Sequence, residues 1–183
     1  MDVLLIGRDP GVLESVKRDL VGRGVSAEGT TSAERASIDF DARNFALVAL
    51  GGGLDSSIRE TLRRDFKRQS PNVILLDTFA PVAVPHIVAA LRSNRGESVL
   101  ASRFETTADN GAYVIDLDLK KECDVSVEVY HVNNGFHRAT LGRGRVLAGP
   151  FAYRVHEHEI HAGVNMIVVA LDGSEYHFRR IDG

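Results

Sequence analysis

The hydrophobic periodicity of the chain changes near its midpoint, and this change limits the folds that it can adopt. In the first half, short runs of consecutive apolar residues are separated by segments with helical spacing, as in buried parallel strands joined by helices. In the second half, apolar and polar residues alternate one by one, which is typical of antiparallel strands. The sequence therefore predicts an α/β domain at residues 1–95 and an all-β domain at residues 98–183, with a linker at Asn94–Ser98.

Strands and helices are expected to alternate in the first domain, which predicts a doubly wound parallel sheet of the flavodoxin or Rossmann kind. The apolar runs predict strands at Val3–Ile6, Val25–Gly29, Phe45–Leu50 and Val73–Leu76. The first helix is expected to begin after Asp9, because Asp is a good N-cap and Pro10 suits the first helical position. Three more helices are predicted: Ser32–Ala42, one that starts at Asp55 or Ser57 with a Ser57–Glu60 capping box, and one that Pro85 opens.

The second domain is predicted to be a small antiparallel sandwich of the immunoglobulin-like kind. Alternation is clearest at Tyr113–Leu119 and Val125–Val129. Asn133–Gly135 and Asp172–Gly173 are hairpin signals, since Asn-Gly and Asp-Gly accept positive φ angles. About seven short strands fit into this half, which is the number that such a sandwich needs.

Composition excludes several classes of protein. The 183 residues carry a net charge of -3, which argues against a general binder of nucleic-acid phosphates. The single cysteine, Cys123, excludes an internal disulfide framework and a cysteine-based zinc site. No apolar stretch approaches the roughly 18 residues of a membrane-spanning helix. The first residues lack the basic region of a signal peptide, so we expect a cytoplasmic protein.

The run Leu4-Leu5-Ile6-Gly7-Arg8-Asp9-Pro10-Gly11-Val12-Leu13-Glu14 resembles the opening of a response-regulator receiver domain. The resemblance covers about residues 1–95 and implies acidic Mg²⁺ ligands after the first strand and an acceptor Asp at the end of the third. Those places hold Gly7 with Arg8 and Leu50 with Gly51. Phosphoryl transfer needs a metal-held geometry. We therefore expect a degenerate receiver-like or Rossmann-like domain that is not phosphorylated on Asp.

A run of three glycines, Gly51, Gly52 and Gly53, follows the third predicted strand. With Ser56 at the start of the next helix, its backbone amides are candidates for binding a nucleotide or dinucleotide phosphate. The alternative is a tight strand-to-helix turn without a ligand. The following helix places Arg59, Arg63 and Lys67 on one face, which is either a docking patch for an acidic partner or a solvated surface.

The second domain resembles the immunoglobulin-like modules of flagellar hook-capping proteins and secretion-sorting domains. The matching segments are Val127–Tyr130, Asn134-Gly135, Leu147–Pro150 and Ala162–Val169. The resemblance implies assembly or docking through protein contacts, without catalysis. It therefore implies a protein partner or a homo-oligomer.

Histidines concentrate between Val155 and His161. On a strand, His156 and His158 would share one face and form a workable pair of ligands for Zn²⁺ or another divalent metal, with His161 joining through a bend. His131 or His177 would be an alternative third ligand, and a polar strand face is the alternative interpretation. The sequence contains no P-loop, G-x-S-x-G or H-E-x-x-H motif. We expect a non-enzymatic interaction or scaffold protein; the alternatives are nucleotide binding at the glycine turn and metal binding at the histidines.

Overall fold

The computed structural model describes residues 2–97, 100–132 and 136–182. The chain divides into two compact units, residues 1–95 and 96–183. The first contains a parallel sheet with helices, and the second contains two antiparallel sheets. In the described residues, no helix is both long and apolar enough to cross a bilayer.

The sheet of the first unit has the strand order β2-β1-β3-β4, and all pairs are parallel. Its strands are β1 (Val3–Ile6), β2 (Ala27–Thr30), β3 (Leu47–Gly51) and β4 (Ile74–Thr78). The central strands β1 and β3 are buried on both faces, as their unbroken apolar runs predict. One apolar cluster on each side of the sheet covers it.

Four helices belong to this unit among the described residues: α1 (Pro10–Val21), α2 (Ala36–Asp39), α3 (Ser56–Gln69) and α4 (Ala80–Asn94). Helix α1 begins as predicted, since the Asp9 side chain accepts a hydrogen bond of 3.0 Å from the Val12 amide. Helix α3 is capped by Asp55 without a side-chain hydrogen bond, so Ser57 is an interior residue and the predicted Ser57–Glu60 capping box is wrong.

Two predicted helices have different limits. The segment predicted as Ser32–Ala42 is broken into a 3₁₀ turn at Ala33–Arg35, the single turn of α2, and a second 3₁₀ turn at Ala42–Asn44. Asp41 causes the second break, because its carboxylate accepts the Arg43 amide and stabilises a turn instead of a helix. Helix α4 begins one turn before Pro85, where Pro81 occupies the first helical turn that suits a residue without an N–H.

The second unit has seven strands among its described residues. They are β5 (Ala101–Asp109), β6 (Ala112–Leu119), β7 (Cys123–Val132), β8 (Phe136–Val146), β9 (Gly149–His156), β10 (Val164–Leu171) and β11 (Glu175–Asp182). One sheet has the order β5-β6-β9 and the other has β11-β10-β7-β8, with antiparallel pairing throughout.

Both antiparallel sheets contribute to one apolar core. Ile115, Leu117 and Val155 come from the three-stranded sheet, while Val127 and Ile167 come from the four-stranded sheet. The alternating pattern of the sequence therefore predicts the buried faces correctly. The hairpin of Asp172 and Gly173 is also confirmed, since their φ angles are +48° and +61°. The predicted Asn133–Gly135 turn lies outside the described residues, between the paired strands β7 and β8.

Candidate functional site

The glycine turn predicted as a phosphate site lies between β3 and α3, at the carboxyl edge of the parallel sheet. Gly51 is the last residue of β3, Gly52 and Gly53 form the exposed turn, and Ser56 is the first residue of α3. Ligands of open α/β sheets bind at this edge, so the location suits a binding site.

Two of the three glycines have a packing reason for lacking a side chain. A Cβ atom on Gly51 would lie 3.0 Å from the Ile6 carbonyl oxygen, and one on Gly52 would lie 3.1 Å from the Phe79 Cβ. A Cβ on Gly53 would meet no atom within 4 Å among the described residues. The close approach of the Ile6 backbone to Gly51 and of the Phe79 side chain to Gly52 therefore accounts for these two glycines without a ligand.

Arg59 of α3 holds this turn in place through hydrogen bonds to its backbone. Its Nη2 donates to the carbonyl oxygens of Gly51 and Leu54 at 3.1 Å each, and its Nη1 donates to Asp77 of β4 at 2.6 Å. The Arg59 side chain is 10% exposed. A buried guanidinium thus joins the glycine turn to the neighbouring strand.

Asp77 binds a second cation, Arg63, through its other carboxylate oxygen. Burial raises the pKa of Asp77, but the hydrogen bonds and charges of Arg59 and Arg63 outweigh it, so the pKa lies below its usual value. Lys67 donates to the carbonyl oxygens of Pro71 and Val73. The face of α3 predicted to be a docking patch or a solvated surface therefore makes contacts inside the first unit. Arg59 and Arg63 bind Asp77, and Lys67 binds backbone carbonyl oxygens.

Arg8 occupies the place where the receiver resemblance implies an acidic residue. Its guanidinium pairs with Glu34 at 2.5 Å and lies 4.0 Å from Asp55. The Asp55 side chain is 76% exposed. The edge therefore carries a cation paired with carboxylates, instead of a cluster of carboxylates that would hold Mg²⁺.

His86 of α4 is a partly buried titratable group that the sequence analysis did not single out. Its Nδ1 lies 3.3 Å from the Thr78 hydroxyl at the end of β4. Burial lowers the pKa of His86 to about 4, and the nearby charge of Asp77 opposes this shift. The imidazole is therefore neutral near pH 7. The sequence signal that places His86 on a helix is the helical spacing of the residues after Pro85.

The prediction that His156 and His158 lie on one strand is wrong, because the strand does not continue past His156. Strand β9 ends at His156, and Glu157–Glu159 forms a 3₁₀ turn in which the Glu159 carboxylate accepts the His156 amide at 2.7 Å. The rings of His156 and His158 still lie 5.4 Å apart. His161 lies instead against His131, with ring centroids 4.8 Å apart.

No group of three His, Cys, Asp or Glu side chains within residues 2–97, 100–132 and 136–182 is placed to hold a metal ion. The metal site proposed from His156, His158 and His161 therefore remains a prediction.

The four-stranded sheet of the second unit has one face on the core and an opposite face, called here the far face. The far face follows from alternation along each strand and from the strand register. It comprises Ser126, Glu128, Tyr130, Arg138, Thr140, Met166, Val168, Ala170, Tyr176, Phe178 and Arg180. Met166 and Val168 are buried, at 1% and 2% exposure, and Tyr130, Tyr176 and Phe178 are partly exposed.

Glu128 lies at the centre of the far face, where its side chain is 7% exposed. It accepts hydrogen bonds from Arg138 at 2.5 Å, Tyr130 at 2.7 Å and Ser126 at 3.3 Å. Burial and the bond to Glu128 raise the pKa of Tyr130 to about 12. Burial raises the pKa of Glu128, but Arg138 and Tyr130 lower it by more, so this carboxylate stays ionised.

Comparison with known protein families finds no matching family, and comparison with curated proteins finds no match. Among solved structures, a β-glucosidase from Listeria innocua in complex with glucose is 10% identical, with a TM-score of 0.35, covering 100% of this chain and 46% of its own. A β-D-glucoside glucohydrolase from Trichoderma reesei is 7% identical, with a TM-score of 0.36, covering 99% and 51%. The chain spans about half the length of these proteins. Likenesses at these scores carry no argument about fold or function.

Proposed function

We propose that this chain is a two-domain, non-enzymatic interaction protein that binds another protein through the far face. The observation that carries the proposal is the composition of this face. It combines three partly exposed aromatic rings with buried Met166 and Val168 and with arginines, as protein interfaces do. A sheet face turned only toward water is expected to be polar.

The strand orders support the two finer fold assignments that belong to this proposal. The order β2-β1-β3-β4 agrees with a flavodoxin-like or receiver-like sheet without its fifth strand. The orders β5-β6-β9 and β11-β10-β7-β8 agree with a seven-stranded immunoglobulin-like sandwich. Because fold alone does not fix function, the proposal rests on the composition of the far face and not on the fold assignment.

The first unit supports a role without phosphorylation or nucleotide chemistry. Its glycine turn is held by Arg59 and packed against Ile6 and Phe79. Arg8 provides a paired cation where a receiver needs acidic metal ligands. We therefore propose that this unit is a degenerate receiver-like domain, and that it contributes a second contact surface or the regulation of binding.

A single substitution on the far face tests the proposal. The variant Phe178→Glu places a charge among Tyr176, Val168 and the partner's contact surface, while Leu147→Glu changes a residue that is 74% exposed outside that face. The wild-type protein in extracts of the cells that make it should elute from size exclusion above the 20.0 kDa of one chain. Leu147→Glu should elute like the wild type.

The folded Phe178→Glu variant should elute as a single chain. Circular dichroism of the purified variants establishes that both are folded, and Tyr176→Lys replaces Phe178→Glu if that variant is unfolded. A wild-type protein that elutes as one chain, or a far-face variant that stays in the complex, contradicts the proposal. A complex that contains only this chain identifies the partner as a second copy.

A further inference from the structure

His131 is a histidine of the second unit with a buried ring nitrogen that has no hydrogen-bond partner among the described residues. The residue is 6% exposed, and the nitrogen is its Nδ1. Buried polar atoms are nearly always paired, and an unpaired one calls for an explanation such as an ion. The exposed ring of His161 lies beside it, with the two centroids 4.8 Å apart.

Strand register and one asparagine bring these two rings together. Asn165 of β10 is directly opposite His131 of β7 and is fully buried. Its side-chain amide donates to the carbonyl oxygens of His161 at 2.7 Å and Gly163 at 3.1 Å, and its oxygen accepts the His161 amide at 3.3 Å. The loop that carries His161 is therefore held next to His131, so the pair does not depend on a flexible approach.

The spacing suits two ligands of one metal ion. Zinc binds imidazole nitrogen at about 2.0–2.1 Å, which places two tetrahedrally arranged ring centroids about 5 Å apart. His137, opposite His131 on β8, has its ring centroid 6.4 Å away, which is too far for such a pair. With two protein ligands, the ion would keep positions for water or for a group from another molecule.

We propose that the Nδ1 of His131 and the imidazole of His161 bind a borderline divalent transition-metal ion, with Zn²⁺ as the probe. Nitrogen ligands of this type favour Zn²⁺, Ni²⁺ and Cu²⁺ over Mg²⁺ or Ca²⁺. This site differs from the combination expected from sequence, because it joins His161 to His131 instead of to His156 and His158. It goes beyond the protein-binding function proposed above and does not depend on it.

Calorimetric titration of the metal-stripped full chain with Zn²⁺ tests the site. The wild type should bind one ion in the micromolar range, and His161→Ala should weaken binding by at least about 10-fold. The double variant His156→Ala with His158→Ala removes the alternative pair of imidazole ligands. It should bind Zn²⁺ like the wild type. His161 and both control positions are exposed, so these variants should fold, as circular dichroism will establish.

Copper provides an independent readout of the ligands. The electron paramagnetic resonance spectrum of the Cu²⁺-loaded wild type should show hyperfine coupling to two nitrogen ligands, and His161→Ala should lose one of them. The absence of saturable Zn²⁺ binding overturns the proposal. It is also overturned if the double variant loses binding while His161→Ala retains it.

Discussion

Replacing Arg59 by alanine removes the side chain that connects the glycine turn to β4. Arg59 donates three hydrogen bonds, to Asp77, Gly51 and Leu54, from a side chain that is 10% exposed. Removing one member of a buried ion pair costs about 3–5 kcal/mol. Arg63 remains on Asp77, so the carboxylate keeps one cation and the expected loss for Arg59→Ala is lower, about 2–4 kcal/mol.

Urea unfolding followed by the helical circular dichroism signal measures this loss. The signal reports on the first unit, because helices α1 to α4 all lie there. A loss of this size moves the midpoint by about 1–3 M urea at typical slopes. Arg64→Ala is the matched control on the same helix. Its side chain is 64% exposed, and the change should stay within about 0.5 kcal/mol. Equal midpoints for the two variants would refute the reasoning.

Three further predictions concern the remaining parts of the structure. Gly52→Val should destabilise the first unit by about 1–3 kcal/mol because its Cβ meets Phe79, whereas Gly53→Ala should change urea stability by less than about 0.5 kcal/mol. Adding ATP or NAD should change the melting temperature of neither the wild type nor the Gly53→Asp variant. If either nucleotide raises the melting temperature of the wild type but not of the variant, nucleotide binding at the glycine turn is favoured instead. The folded pKa of His86, about 4, lies below its usual 6.5, so the unfolded state takes up the proton first as the pH falls. Stability should therefore fall by up to about 3 kcal/mol between pH 6.5 and 4; His86→Gln should flatten this dependence and His158→Gln should not.

Local patterns predict much of the fold. Apolar runs identify β1 and β3, because strands buried on both faces need side chains that are apolar on both sides. Alternation identifies the core residues of β7 and β10. The sequence pattern does not predict the limits of β5, although Asn110 and Gly111, which have φ angles of +44° and +76°, provide a turn signal directly after it.

The limits of helices were predicted less well, because they depend on which of several competing residues caps the end. Two prolines, Pro81 and Pro85, fit a helix start, and only the first is placed there. Asp55 and Ser57 were both candidates for the cap of α3, and Asp55 takes this position. Val82 and Ala83, which precede Pro85, are buried, and this burial is a property of the folded unit that a single sequence does not display.

The candidate site depends on contacts between residues that are distant in sequence. Arg59 and Asp77 lie on different elements, and the arginine spacing on α3 alone indicates a surface patch. The pairing of His131 with His161 requires the register of β7 and β10 and the loop held by Asn165. The end of β9 at His156 separates His158 from the strand, which parity along the sequence does not foresee.

Photo-crosslinking from the far face tests the central claim most directly. A benzophenone amino acid replaces Phe178 in one variant and the exposed Leu147 in another, and both are irradiated in the cells that make the protein. The account predicts a discrete protein adduct from position 178, to a second copy or to another chain, and none from position 147. No adduct from position 178, or the same adduct from both positions, would contradict it.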